Sequence, residues 1–443
     1  MPTNRTYFSS KFCRFLVSGL LAFGAGSVFS QTTPDTTAKT TRPIEELKYQ
    51  QQPGLALAAS KIFFSDKRWS ISGFGEFNQV PVQGDAGPAL GDIELYYTGL
   101  YRLATFFGYR ISDKIIWNSE FQIEYLHAGL EEGHHEIVIE AFVDFLLADY
   151  FKARVGFYPL TIGYVNNHDE PVMFYSVNRS EVERLIVPST WIELGVMFYG
   201  NITKDLSYVL GVSQGLNSAQ YLSGTWIRQG REIRVDVPQA VSINPQLVYK
   251  GIKNVALSVS GYFGESGQGN SVLIDNIERP VRAPISLGTA YATWEHKQWR
   301  LTAVGAYGTL GNTDRIYAQT ALEQDAGQVV GSEVYGYLFE AGYDLLPHLR
   351  KEPKEEKKNW LVHNKKMKLP LFLRYERLNT HQNVHASLQD LDRIQNDLDI
   401  ITAGINFMPR ENITIKGNYQ WRFNRAAISP RADVVEFGVG FIF

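Results

Sequence analysis

The chain has 443 residues, with 43 Lys and Arg against 46 Asp and Glu, 13 % aromatic residues and a single cysteine. Near-neutral charge excludes a nucleic-acid binder, which needs a local excess of Lys and Arg, and one cysteine excludes a disulfide framework or a cysteine-rich zinc site. A mean hydropathy of −0.19 excludes a polytopic helical membrane protein, whereas the length accommodates one large all-β unit.

Lys11 and Arg14 precede an apolar run from Phe15 to Phe29, and Val28 and Ser30 stand at the small-residue positions before Gln31. This is the pattern of a secretory signal peptide over residues 1–30, cut between Ser30 and Gln31. Cys13 leaves with it. Residues 31–68 open with the Thr-rich stretch Thr32 to Thr41, too polar to pack a core, and read as a short periplasmic linker. A short oligomerisation segment is the alternative.

From Trp69 onward one pattern repeats. In Ile413-Thr-Ile-Lys-Gly-Asn-Tyr-Gln-Trp-Arg-Phe423, odd positions are apolar, aromatic or Gly and even positions are polar. Ile115 to Tyr125 alternates in the same way, with Asn118, Glu120, Gln122 and Glu124 on the wet side. Strand side chains alternate between faces, so each segment has one greasy and one wet face. About 10 residues, tilted by about 45°, cross a bilayer. The pattern predicts strands at 69–79, 92–107, 115–126, 135–147, 151–158, 190–200, 206–214 and 241–250. It predicts a further eight at 254–264, 284–295, 298–309, 333–346, 369–379, 397–408, 412–423 and 433–443. Sixteen is an even number, as single-chain bacterial barrels have.

Connections alternate between tight turns, such as Asn201 to Asp205 and Pro409 to Asn412, and long polar loops at 160–189, 215–240 and 310–332. Short periplasmic turns and long outer loops are the transmembrane-barrel pattern. Residues 347–368, carrying Lys351-Glu-Pro-Lys-Glu-Glu-Lys-Lys358, break it and read as a solvated periplasmic insertion. Val435, Phe437, Val439, Phe441 and Phe443 share one face of the terminal strand, which resembles the signal read by the outer-membrane assembly machinery. Residues 69–443 therefore read as an all-β transmembrane antiparallel β-barrel, closed because lipid offers no partner to an open edge.

Arg154-Val-Gly-Phe-Tyr-Pro159, followed by Glu181-Val-Glu-Arg184 and Gly195-Val-Met-Phe-Tyr-Gly200, resembles the core pattern of the phosphate-selective porin O/P family. The resemblance implies a homotrimer of sixteen-stranded barrels with the third outer loop folded into the lumen. On that basis residues 160–189 form a constriction loop with Arg179, Glu181, Glu183 and Arg184 as lining residues. The alternative is that these charges brace the loop against the wall.

Alternation places the acids Glu76, Glu120, Glu124, Glu140, Asp144, Glu193, Glu340 and Glu376 toward the lumen. The inward bases are Arg102, Lys152, Arg154, Arg300, Arg374, Lys416 and Arg422. So even a balance is no basic funnel and departs from phosphate selectivity, which needs a cationic lumen. Glu120, Glu124, Glu140 and Asp144 on one side, against Arg374, Lys416 and Arg422 across the barrel, predict a transverse field that orients dipolar solutes. The alternative is local pairing, as between Glu140 and Arg154.

Three further clusters stand out. His127, Glu131, Glu132, His134, His135 and Glu136 share an outer loop but fit no zinc spacing, so no metal is expected. Arg228, Arg231 and Arg234 read as a solvated loop, with anion gathering as the alternative. Trp69, Tyr109, Trp117, Tyr199, Trp299, Tyr307, Tyr419 and Trp421 suit interfacial girdles, some of them packed against turns instead.

No P-loop or dinucleotide fingerprint is present. The expectation is a porin in the bacterial outer membrane, passing small hydrophilic solutes or ions, without catalysis or cofactor. Its partners would be outer-membrane lipid and lipopolysaccharide. A substrate-specific transporter, or an adhesin or receptor barrel, is the alternative; a hydrolase has the least support.

Overall fold

The computed structural model describes residues 51–80, 97–128, 134–231, 239–426 and 433–443. The first barrel strands are β1 (Trp69–Gln79), β2 (Tyr97–Ser112), β3 (Ile115–Ala128), β4 (His134–Ala148), β5 (Phe151–Pro159) and β6 (Ile192–Asn201). Then come β7 (Leu206–Gln214), β8 (Val241–Tyr249) and β9 (Val255–Glu265), and an outer-loop hairpin of β10 (Ser271–Ile274) and β11 (Ile277–Pro280). The wall resumes with β12 (Pro284–His296), β13 (Trp299–Leu310), β14 (Glu333–Asp344) and β15 (Pro370–Asn383). It ends with β16 (Asp397–Arg410), β17 (Ile413–Asn424) and β18 (Val434–Ile442).

All strands except β10 and β11 form one closed antiparallel barrel of sixteen, each paired with its neighbour in the wall, and β18 returns to β1. At that seam the register runs from Phe74 opposite Ile442 to Gln79 opposite Phe437. Gly73 and Phe443 exchange backbone bonds of 3.0 and 2.8 Å.

Burial runs inside out. On β17, Ile415, Trp421 and Phe423 are exposed outward, while Thr414, Lys416, Gln420 and Arg422 are buried inward. On β1, Trp69, Ile71 and Phe77 face out, and Ser70, Ser72, Glu76 and Asn78 face in. An apolar exterior over a charged interior is what a hydrocarbon solvent selects. No described helix is long and apolar enough to cross a membrane.

The predicted strands and observed strands correspond one to one. The largest shift at a described end is in β2, expected to stop at 107 and observed to Ser112, because alternation fixes which face a residue occupies but not where pairing stops; its expected start, 92–96, lies outside the described residues. The β10–β11 hairpin was not expected; its turn residues Asp275 and Asn276 both have positive φ, the two-residue turn that Asp and Asn favour.

The end of the expected linker is not solvated. Leu55, Ala58, Ala59 and Ile62 are buried, and a short helix α1 (Lys61–Phe64) leads into β1. The inward side chains of β1 and β3 bond this segment: Ser72 Oγ donates to the Ala58 carbonyl (2.6 Å) and Asn118 Nδ2 to that of Ala59 (2.8 Å). Residues 51–64 therefore lie within the barrel. The Thr-rich stretch 32–41 and the proposed signal peptide fall outside the described residues.

Candidate functional site

After Pro159 the chain turns into the lumen rather than out of it and returns at Trp191. Gly163 N–H donates to Thr289 Oγ1 on β12 (3.1 Å), and Arg300 on β13 donates to the Met173 carbonyl (2.7 Å) and to the Tyr164 hydroxyl. Farther round, Tyr175 lies over β14 at Gly342, where a Cβ would come within 2.1 Å of its ring. Val177 N–H donates to Asn418 Oδ1 on β17 (2.7 Å), and Asn178 Nδ2 to Glu436 Oε1 on β18 (2.9 Å). A helical turn, Val182–Ile186, then packs on β14 at Gly336. The loop thus crosses from one wall to the opposite one.

The charged residues meet this loop and the N-terminal segment. Arg102 pairs with Glu76 (2.8 Å) and with Asp169 of the loop (2.9 Å), and Arg179 also contacts Asp169. Arg374 pairs with Glu376 (2.8 Å) and Glu340 (3.6 Å), while Glu376 accepts the Val182 N–H (3.2 Å). Glu181 binds Arg184 (2.5 Å) and lies 3.8 Å from Arg422. Lys416 donates to the Ser176 carbonyl (2.8 Å) and sits 3.8 Å above the Phe174 ring. Glu183 accepts from the Tyr164 and Val165 amides (2.5 and 2.8 Å). All four named constriction-loop charges are buried.

Across the barrel, Arg154 pairs with Asp144 (3.0 Å), its register partner, and not with Glu140. It also donates to the Pro53 and Gly54 carbonyls (3.1 Å each), tying the N-terminal segment to the wall. Glu120 stands opposite Glu140 in the register. Glu124, half buried, accepts from Gln122 Nε2 (2.7 Å). Glu193 accepts from Trp191 Nε1 (2.9 Å), holding the end of the loop.

Open space persists around these pairs. A small gap of about 30 Å³ is lined by Glu120, Gln122, Glu140, Asn166 and Asp169. One of about 20 Å³ lies among Arg179, Glu183, Glu340 and Arg374. A wider vestibule, about 380 Å³, takes in Lys152, Lys250, His168 and Gln51 at the end bearing the short turns.

The loop's own groups are strongly perturbed. Burial pushes Glu183 up to about 7, in spite of the two amides it accepts from, and Glu170, which takes the Ala58 N–H (2.8 Å), also to about 7. Burial lowers His168 to about 4. Burial also acts against ionised Asp169, but Arg102 and Arg179 outweigh it and hold the carboxyl below its ordinary value.

Three sequence readings change here. Tyr199 is not in a girdle: it is buried inward and its hydroxyl donates to Asp144 Oδ1 (2.6 Å). The opposed charged walls do not face each other across open water, because Glu181 and Asp169 of the loop stand beside Arg422 and Arg102. Glu436, which accepts from Asn178, Asn418 and Gln420, was missed although it lies on the wet face of β18. Asp169 and Glu170 carried no periodic signal. Arg228 and Arg231 are not solvated: Arg228 donates to the Arg184 carbonyl (3.0 Å) and Arg231 to the Thr190 carbonyl (2.9 Å). Arg234, Glu131 and Glu132 lie outside the described residues, as do the side chains of His127, His134, His135 and Glu136.

No family model matches the chain. It is 25 % identical over 380 residues to an uncharacterized protein of Aquifex aeolicus, covering 84 % of this chain and 79 % of that one. Among solved structures it is similar to OmpF of Salmonella typhi, with a TM-score of 0.51 at 9 % identity, covering 85 % of this chain and 97 % of the other. It is similar in the same degree to the outer membrane channel DcaP of Acinetobacter baumannii, TM-score 0.51 at 11 % identity and with the same coverage. The fold is that of outer-membrane porin barrels.

Proposed function

We propose that the chain is an outer-membrane porin through which small hydrophilic solutes or ions diffuse passively, after export and removal of residues 1–30. The observation that carries this is a charge-lined lumen, apolar on its outside, narrowed from within by residues 160–191. The reading includes a homotrimer embedded in lipid and lipopolysaccharide, and no catalytic step or cofactor. Inward acids and bases are nearly balanced, which favours weak ion preference over selectivity for phosphate. Reversal potential and single-channel conductance in planar bilayers under a salt gradient, followed by added phosphate, test it. A weakly selective conductance is expected; strong anion selectivity with phosphate block would make it a phosphate channel, and no conductance would overturn the porin reading.

Residues 51–64 favour a second reading, a substrate-specific channel with an intraluminal plug. Leu55 and Ile62 are fully buried and Arg154 clamps the Pro53 and Gly54 carbonyls. Deleting residues 31–64 separates the two: a severalfold rise in conductance identifies a plug, and an unchanged conductance leaves the general porin.

A further inference from the structure

Residues 347–368 are strongly basic within a slightly acidic chain. They carry eight Lys and Arg against three Glu, within a protein of net charge −3. The stretch is folded onto the barrel rim. Lys368 and Met408 exchange backbone bonds of 2.9 Å, His363 N–H donates to the Pro409 carbonyl (2.9 Å), and Arg410 reaches the Asn359 carbonyl. Held in this way, the lobe leaves Trp360 77 % and Leu349 68 % exposed, and Leu361 is exposed beside them.

The lobe begins on the lipid-facing side of the wall. Tyr343 of β14 lies on the outward face of its strand, 4.7 Å ring to ring from exposed Trp299, and its hydroxyl is 2.6 Å from His348 Nε2 at the start of the lobe. The His348 and Tyr343 rings also stack. The basic stretch is therefore continuous with the aromatic belt at the short-turn end, which in bacterial barrels is the periplasmic end. Trp settles at the headgroup level of a bilayer, with its apolar ring down and its N–H wet, while Lys draws anionic headgroups to the same level.

We propose that residues 347–368 dock on anionic phospholipid headgroups of the leaflet at the short-turn end, with Trp360 and Leu361 entering the interface and Lys351, Lys354, Lys357 and Lys365 above it. The lobe then fixes the depth and tilt of the barrel on that side.

The test uses the exported protein, which has lost Cys13 with residues 1–30, carrying Leu361→Cys labelled with an environment-sensitive fluorophore. It is placed in nanodiscs of phosphatidylcholine with or without phosphatidylglycerol. A blue shift that grows with phosphatidylglycerol is expected, and high salt reverses it by screening. Each lysine at an anionic surface contributes up to a factor of about five. Replacing the four lysines by Gln should therefore weaken the response by about tenfold or more, with heat-modifiable migration showing that the barrel is intact. The same spectrum with and without phosphatidylglycerol overturns the proposal. So does a lipid-independent spectrum accompanied by lysine-dependent retention on purified cell-wall sacculi, which would assign the lobe to the wall polymer.

Discussion

In the wall, each strand is bonded to the next and every second side chain meets lipid. Residues 51–64 and 160–191, which occupy the cylinder, reach their neighbours instead through side chains: Arg154 to Pro53, Asn118 to Ala59, Arg102 to Asp169, Val177 to Asn418. The wall's bonds cannot be surrendered one at a time, because each freed backbone group would face hydrocarbon. The interior's neutral bonds that lie beside water-sized spaces can be exchanged for water at a net cost of about 0.5–1.5 kcal/mol each. A rigid cylinder thus encloses contents that can rearrange without opening it, and control of passage belongs to the contents.

Four measurements break or sharpen that contrast. Arg154→Gln removes the partner of fully buried Asp144 and the clamp on Pro53 and Gly54, and should cost about 3–5 kcal/mol where the two regions meet. Limited proteolysis should then cut within 51–68 while the barrel still migrates as folded; resistance equal to that of the unsubstituted protein would show that the clamp is idle. Phe339→Lys puts a charge on the lipid face of β14, where the side chain is 59 % exposed, and should cost about 2–4 kcal/mol in denaturant unfolding with no change in conductance. Replacing Arg374, Lys416 and Arg422 together by Gln should move the reversal potential toward cations, since Glu181, Glu340 and Glu376 stay behind. An unmoved potential would place the ion path elsewhere in the lumen.

The smallest effect expected is that of pH. Glu183 and Glu170 have folded-state values of about 7, above the ordinary 4.5. Their contribution is fully present below about 4.5 and is lost as pH rises through 7, because the packed loop must then hold them ionised. Conductance should be lower at pH 5 than at pH 8; the reverse order would remove these carboxyls from control of the loop.

What was legible in the sequence follows the same division. Ile413 to Phe423 could be read because a wall strand between lipid and water repeats every two residues, and Glu436 was readable by the same rule. Loop residues have no period, so nothing in the sequence marked Asp169 as the partner of Arg102. The N-terminal segment was hidden for another reason. Leu55-Ala-Leu-Ala-Ala59 and Ile62 form an apolar run at the end of a stretch whose Thr-rich beginning dominates its composition, and averaging over 31–68 concealed it.

The seam between β1 and β18 has a consequence for how the cylinder breathes. Among the described residues its register runs from Gly73 beside Phe443 to Gln79 opposite Phe437, whereas β2 and β3 are paired from Tyr97 opposite Ala128 to Ser112 opposite Ile115. A tube zipped unevenly parts more readily along a short zip than along a long one. Amide hydrogens of Gly75 to Gln79 should therefore exchange with deuterated solvent ahead of those in β3, and a lipid or an incoming strand would find its way into the wall there.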